Sequence, residues 1–203
     1  MRVIAGRLRG RKLEATPGLQ TRPITDRVKE TLFNILGSRF GLPGTIPEID
    51  VLDLFAGSGG LGIEAVSRGA RSCLFVEHDR RGLRVLRENL ARMGLVETCR
   101  VSGENAWTLR VPPPPDAGYG LVFVDPPYND AADLVRLLDL LERIAPHMTP
   151  DGIIVFRHLR QTQLPTTALR SLRCIDNREI GTMRLWLLTP VRVKPSDQGD
   201  ASE

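Results

Sequence analysis

The residues best placed to do chemistry stand at the end of an apolar run. Asp125-Pro126-Pro127-Tyr128 follows Leu121-Val122-Phe123-Val124, which reads as a buried strand. A carboxylate at Asp125 and the backbone carbonyl of Pro126 can each accept one hydrogen from a planar amine, drawing its nitrogen toward a tetrahedral shape and aiming the lone pair. Two prolines stiffen this backbone, because each restricts φ and lacks an N–H that would need a ladder partner. Tyr128 offers a flat face on which a base can stack. By itself the tetrapeptide fits a strand ending in a proline turn, with Tyr128 an ordinary rim aromatic, equally well.

Upstream, Val51-Leu52-Asp53-Leu54-Phe55-Ala56-Gly57-Ser58-Gly59-Gly60-Leu61-Gly62 passes from a strand-like run into a helix-like one. Gly57, Gly59 and Gly62 fit G-x-G-x-x-G. Glu77 lies twenty residues beyond Gly57, at the end of the apolar run Cys73-Leu74-Phe75-Val76, which is the spacing of a ribose-binding acid. A nicotinamide dinucleotide satisfies the glycine count. Asp53 speaks against it, because a carboxylate just before the loop adds negative charge where a pyrophosphate would meet the helix N-terminus. S-adenosylmethionine suits the place better: it has no phosphate, carries a sulfonium and an ammonium that Asp53 attracts, and has ribose hydroxyls for Glu77. Its carboxylate can meet the loop N–H groups. The candidate cofactor-binding residues here are Asp53, Phe55, Ala56, Gly57, Gly59 and Glu77. A tight strand-to-helix turn without ligand is the bland alternative, and the position of Glu77 weighs against it.

Taken together, the two sites resemble the Rossmann-like methyltransferase superfamily, in which a strand ending in Asp-Pro-Pro-Tyr methylates an amine. The segment Arg22-Pro23-Ile24-Thr25-Asp26-Arg27-Val28-Lys29-Glu30-Thr31-Leu32-Phe33-Asn34-Ile35-Leu36 narrows the match. It resembles the signature of the bacterial 16S ribosomal RNA guanine-N2 methyltransferases that modify guanine 966, over residues 1 to 190 of this chain. The resemblance implies an α/β fold of the Rossmann-like class I type: a mostly parallel seven-stranded sheet flanked by helices, with a small N-terminal β appendage. It implies S-adenosylmethionine as methyl donor and 16S rRNA, within the small ribosomal subunit, as partner. Asp125, Pro126, Pro127 and Tyr128 carry over as the catalytic loop. Glu104 and Asn105 carry over as the place where similar enzymes contact the adenine ring, against simple helix capping at that turn; Trp107 reads as core. Arg22, Thr25 and Asp26 run beside the cleft, and a structural pair of Asp26 with Arg27 or Arg22 fits equally. One departure stands out. After Ile153-Ile154-Val155-Phe156 such enzymes often place an acidic residue, whereas here Arg157 and His158 follow. The shared tetrapeptide chemistry keeps DNA adenine and protein glutamine methyltransferases in view, and from other classes an NAD-dependent oxidoreductase and a non-catalytic RNA-binding protein.

Composition suits a compact intracellular enzyme, since 203 residues with 41% hydrophobic content can fill one sizeable core. Net charge is +4 with a pI near 9.3, and the bases are unevenly spread. Arg2, Arg7, Arg9, Arg11, Lys12 and Arg22 crowd the beginning of the chain, opposed there by little besides Glu14 and Asp26. Such density suits RNA phosphates, contacts that position a nucleic acid without reading its sequence. Any single arginine among them fits a solvated surface as well. Cys73, Cys99 and Cys174 form no C-x-x-C pair, and His78, His147 and His158 are scattered, so neither a disulfide framework nor a metal site is expected. The charged N-terminus and the lack of a long apolar run predict neither signal peptide nor membrane span, hence a cytoplasmic protein.

These groups need a scaffold, and the pattern supplies one. Arg2 to Leu13 predicts two short strands around glycine turns, then a loop at Thr16-Pro17-Gly18. Thr25 is placed to cap a helix through Leu32, Phe33 and Leu36, followed by a loop from Gly41 to Pro47. From Val51 onward strands and helices alternate in the rhythm of a parallel sheet: a helix after Gly60, a strand to Val76, a helix from Arg80 to Met93, a strand near Thr98 to Val101. Pro112 to Pro115 read as a stiff linker, Ala131 to Ile144 as a helix, and Gly152 as the start of another strand. Met183 to Leu188 is expected antiparallel at the carboxyl end of the sheet. The expected organisation is a basic β-hairpin appendage at 1–20, a methyltransferase domain at 21–190 and a disordered tail at 191–203.

Overall fold

Buried on both faces, the strands of a parallel sheet read as continuous apolar runs, and those runs build this one. The computed structural model describes residues 1–15, 24–114, 116–127 and 133–192. Its strands are β1 (Asp50–Leu54), β2 (Ser72–Val76), β3 (Cys99–Ser102), β4 (Tyr119–Val124), β5 (Met148–Leu159), β6 (Leu172–Ile180) and β7 (Met183–Pro190). Every residue of β1 and β4 is buried. The order across the sheet is β3-β2-β1-β4-β5-β7-β6. β1 to β5 pair in parallel, and β7 runs antiparallel to both β5 and β6. The chain leaves β1 toward β2 on one side and returns to β4 on the other, which opens a crevice at the carboxyl ends of β1 and β4.

Helices α1 (Asp26–Arg39), α2 (Gly62–Ser67) and α3 (Arg80–Met93) cover one face, while α4 (Leu134–Ile144) and the segment 106–111 cover the other. Thr25 caps α1 by accepting from the Val28 N–H at 3.4 Å, and Asp79 caps α3 by accepting from the Gly82 N–H at 2.7 Å. α3 is sharply amphipathic: Val85, Leu86, Leu90 and Met93 are buried and its arginines are not. No helix among the described residues is long and apolar enough to cross a membrane.

Several local expectations shift. The strand expected from Gly152 begins at Met148. β6 was not foreseen, because Arg173, Asp176, Arg178 and Glu179 break its apolar pattern; as the edge strand it has water beside it, and β7 lies one place in from the edge. In place of two N-terminal strands there is a single antiparallel bridge between Arg2 and Lys12. Thr16 to Gly18, Pro115, the first residues of the helix expected from Ala131, and the tail from Lys194 lie outside the described residues.

The basic N-terminal segment is tied into the main core. Val3, Leu8 and Leu13 are buried within the cluster beneath α1 to α3. Its backbone is held by one carboxylate: Glu64 on α2 accepts from the N–H groups of Ile4 at 2.8 Å and Ala5 at 3.0 Å. The same carboxylate meets Lys29 Nζ at 3.2 Å and Arg68 Nε at 2.8 Å, all three side chains being buried. Lys29 also donates to the Arg2 carbonyl at 2.6 Å. Burial pushes the Lys29 ammonium below its usual range, and Glu64 opposes that shift. Asn89 of α3 completes the seam, accepting from the Glu14 N–H and donating to the carbonyls of Glu14 and Ser58. The segment therefore reaches the cofactor-type loop through hydrogen bonds as well as packing.

Candidate active site

Strand register alone assembles the site. Val76, Leu54, Val124 and Phe156 lie in one row across β2, β1, β4 and β5. Of the residues that follow them, Glu77, Phe55 and Asp125 leave the sheet at its carboxyl end, while Arg157 stays in β5, paired with Leu185 of β7. Parity then chooses the face. Val51, Phe75, Phe123 and Val155 point into the cluster under α1 to α3, so Asp53, Glu77, Asp125 and Arg157, each an even step away, extend that same face. All four line one cleft, closed from the N-terminal side by Met1, Ala15 and Ile24.

The loop after β1 is shaped to face this cleft. Phe55 has φ of 63°, a left-handed conformation that a non-glycine residue holds at a cost of about 1–3 kcal/mol. Packing holds it there: the Phe55 ring lies 4.8 Å from the Trp107 ring, and the Arg136 guanidinium sits 4.6 Å above Trp107. The Ala56 N–H bonds the Val76 carbonyl at 3.0 Å, and the Gly57 N–H bonds Glu77 Oε2 at 2.8 Å. Gly57 has φ of 55° and open space where a side chain would begin, so it borders the cleft. Gly59 does not: a Cβ there would meet Leu86 Cδ1 at 2.6 Å, placing this glycine against α3 and off the lining.

Charge in the cleft is unevenly matched. Asp53 is 2% exposed and its Oδ2 accepts from the Gly62 N–H at 2.8 Å. Burial pushes its carboxyl up to about 8; Asp125 and Glu77 add to that rise, and the Gly62 hydrogen bond works against it. Glu77 Oε1 accepts from the Asp79 N–H at 2.7 Å. Asp125 is clamped by Arg157, whose Nε reaches Oδ1 at 2.9 Å and whose Nη2 reaches Oδ2 at 2.6 Å. This two-pronged bond fixes the carboxylate plane and leaves each oxygen a further lone pair. Four carboxyl groups, Asp53, Glu77, Asp79 and Asp125, line the cleft against the one guanidinium of Arg157, so acid outnumbers base there even with Asp53 protonated.

The structure sorts the other expected residues. Phe55, Ala56, Pro126 and Pro127 line the cleft. Glu104 and Asn105 do not, although their neighbour Ala106 does. Asn105 accepts from the Trp107 N–H at 3.0 Å and Glu104 from the Ser102 hydroxyl at 2.9 Å, so both side chains serve their own turn. Trp107 is core, as expected. Asp26 pairs with Arg2 at 2.9 Å, and Arg27 is not its partner among the described residues. Tyr128 and Arg22 lie outside those residues. Arg7, Arg9 and Lys12 are exposed, and Arg11 Nη1 bonds the Arg92 carbonyl at 3.1 Å. Among the described residues no three His, Cys, Asp or Glu gather as metal ligands. Arg157, which the sequence offered only as a departure from the family pattern, lines the cleft and meets Asp125; its place on the strand beside β4, two residues after Val155, was the available signal. His158, of opposite parity, turns away and meets the Thr162 hydroxyl.

A cationic, phosphate-free ligand fits this cleft. Asp53 and the surplus carboxylates favour a positive charge, Glu77 retains lone pairs for hydroxyl donors, and the opening at Gly57 admits close approach to backbone. S-adenosylmethionine has those features. Strand order, antiparallel β7 and this crevice define a class I methyltransferase fold. The Escherichia coli structure of yhhF shares it, with a TM-score of 0.74 and 34% identity over 94% of this chain and 97% of that one. The chain belongs to the family described as Conserved hypothetical protein 95, whose model matches residues 1–189. Among curated relatives, YlbH of Bacillus subtilis (strain 168), whose name proposes an rRNA methyltransferase, is 41% identical over 169 residues, covering 82% of this chain and 87% of the relative. Ribosomal RNA small subunit methyltransferase D of Escherichia coli (strain K12) is 41% identical over 144 residues, covering 70% and 67%.

Proposed function

We propose that this protein methylates the exocyclic N2 amine of a guanine in 16S rRNA, guanine 966 by family resemblance, with S-adenosylmethionine as donor and the small ribosomal subunit in the cytoplasm as setting. One observation carries the reading: Asp125 at the end of β4 opens onto the same cleft as Asp53 and Glu77. Relatives named as rRNA methyltransferases support the choice of substrate.

The aromatic amine is a weak nucleophile because its lone pair is delocalised into the ring. Asp125 and the Pro126 carbonyl answer this by accepting its two hydrogens, which holds the nitrogen with its lone pair aimed along one line. Arg157 keeps the Asp125 carboxylate in a single orientation, so the acceptor is in place before the base arrives. Tyr128 stacks the unstacked guanine in this scheme. Asp53, Phe55, Ala56, Gly57 and Glu77 would hold the donor. When bound, S-adenosylmethionine supplies a methyl group on a sulfonium, already a good leaving group, so alignment rather than strong base governs the rate. The proton leaves the nitrogen after transfer, to Asp125 or water. Arg2, Arg7, Arg9, Arg11, Lys12 and Arg22 provide phosphate contacts.

Incubating the protein with labelled donor and undermodified small subunits, then mapping the labelled nucleotide, tests this. Label on guanine N2 of 16S rRNA is expected. Label confined to DNA or protein would reject the substrate, and binding of a nicotinamide cofactor in preference to S-adenosylmethionine would reject the class.

A further inference from the structure

Many surface arginines are neutralised, and outside α3 and the N-terminal segment those without an ion pair among the described residues, Arg27, Arg100, Arg110, Arg136, Arg170 and Arg173, are scattered over other elements. Arg39 and Arg178 share Asp176, Arg71 sits between Asp50 and Asp116, Arg143 pairs with Asp139 and Arg184 with Glu179. α3 differs in how many it gathers on one face. Its exposed side carries Arg80, Arg81, Arg84, Arg87 and Arg92 against Glu88 alone. Arg80, Arg81 and Arg87 have no ion pair among the described residues, and Arg84 reaches Glu88 only at 3.9 Å. α1 and α4 carry both signs on their exposed sides. A helix of like charges repels itself, and this one tolerates it on the flank of the cleft: Asp79, its cap, lines the cleft. At the far end Arg11 bonds the Arg92 carbonyl and Arg92 meets Glu14 at 3.1 Å, so the exposed Arg7, Arg9, Arg11 and Lys12 continue the charge. The helix spans about 20 Å at 1.5 Å per residue, room for several successive phosphates.

We propose that the arginine face of α3, continuous with the N-terminal bases, is a docking surface for the phosphate backbone of the RNA strand leading to the target guanine. This rests on the reading of the protein as an rRNA enzyme. The partner is nucleic acid rather than a bilayer, because the apolar side of α3 is spent on the core and nothing remains to enter lipid. Guanidinium groups without carboxylate partners are free to bind phosphate with little prior desolvation or rearrangement.

The test compares wild type with Arg81→Glu/Arg84→Glu/Arg87→Glu in binding to transcribed 16S rRNA without donor, across a salt series. Kd is expected to rise about 30-fold or more, and the slope of log K against log salt to shrink by about 2 units, given about 0.7–0.9 per phosphate contact. The matching Arg→Lys triple should keep most of the affinity and slope, and Arg173→Glu, on the β6 edge, should change neither. Donor affinity should hold in all of them. An unchanged Kd and slope in the Glu triple, an equal loss in the Lys triple or at Arg173, or binding to phosphatidylserine vesicles as tight as to RNA would each overturn the proposal. Because methyl transfer is not the readout, an enzyme that binds rRNA through α3 yet never methylates it would reject the reaction and leave this surface standing.

Discussion

Two groups of buried charge lie on the same side of the sheet, wired in opposite senses. At Glu64 two cations and two backbone N–H groups converge on one carboxylate with no exposed surface. Every lone pair there has a protein partner, and the outcome is mechanical: α1, α2 and the first residues of the chain are pinned together. At the cleft four carboxyl groups meet one guanidinium; backbone N–H groups reach Glu77 and Asp53, but no second arginine or lysine lines the cleft to balance them. Charge that is satisfied from within holds a fold; charge left in surplus beside an opening marks a place for a ligand.

Breaking the first group should cost the most. Glu64→Ala strands Lys29 and Arg68 in the core and is expected to lower unfolding free energy by about 3–5 kcal/mol, read from a denaturant titration. A loss below about 1 kcal/mol would mean that the pinning role is misassigned. In the second group stability should move less and catalysis more. Asp125→Asn should cut kcat about 100-fold or more while donor affinity by calorimetry changes less than about tenfold. Arg157→Gln should cut kcat about tenfold, with only partial recovery in Arg157→Lys, since an ammonium cannot make the paired bond. Equal losses of turnover and donor affinity in these variants would contradict the division between Asp125 and the donor site.

The subtlest separation is by pH. In the free protein Asp53 keeps its proton up to about 8, against 3.8 for an ordinary aspartate, so the folded state holds that proton more tightly than the unfolded chain does. Its contribution to stability therefore falls as pH rises between those two values. A cationic donor favours the ionised form, so donor binding should release a proton and tighten as pH rises from 6 toward 8, then level off. Calorimetry in buffers of different ionisation enthalpy reads the proton directly. Asp53→Asn should abolish the dependence; a slope that survives it would assign the proton to another group.

Much of this molecule was readable from local pattern. Arg80 to Met93 is the helix its spacing predicts, Thr25 caps where it should, and the runs ending at Leu54, Val76 and Val124 are the central strands. Asp53, Glu77 and Asp125 were candidates because each stands at or near the end of such a run. Glu104 and Asn105 were chosen by position in the chain, and the structure turns their side chains to local hydrogen bonds. β6 was invisible because an edge strand needs no apolar alternation.

Sequence by itself determined the elements, the glycine loop and the residue types gathered at strand ends, because helix and strand periodicity and turn chemistry act between neighbours a few positions apart. Tertiary structure alone decided that Asp125 meets Arg157, that Lys29 reaches Glu64, and that α3 joins the N-terminal bases in one charged band. The first depends on which strands lie side by side and in what register, the other two on how the helices and the N-terminal segment pack on one face of the sheet.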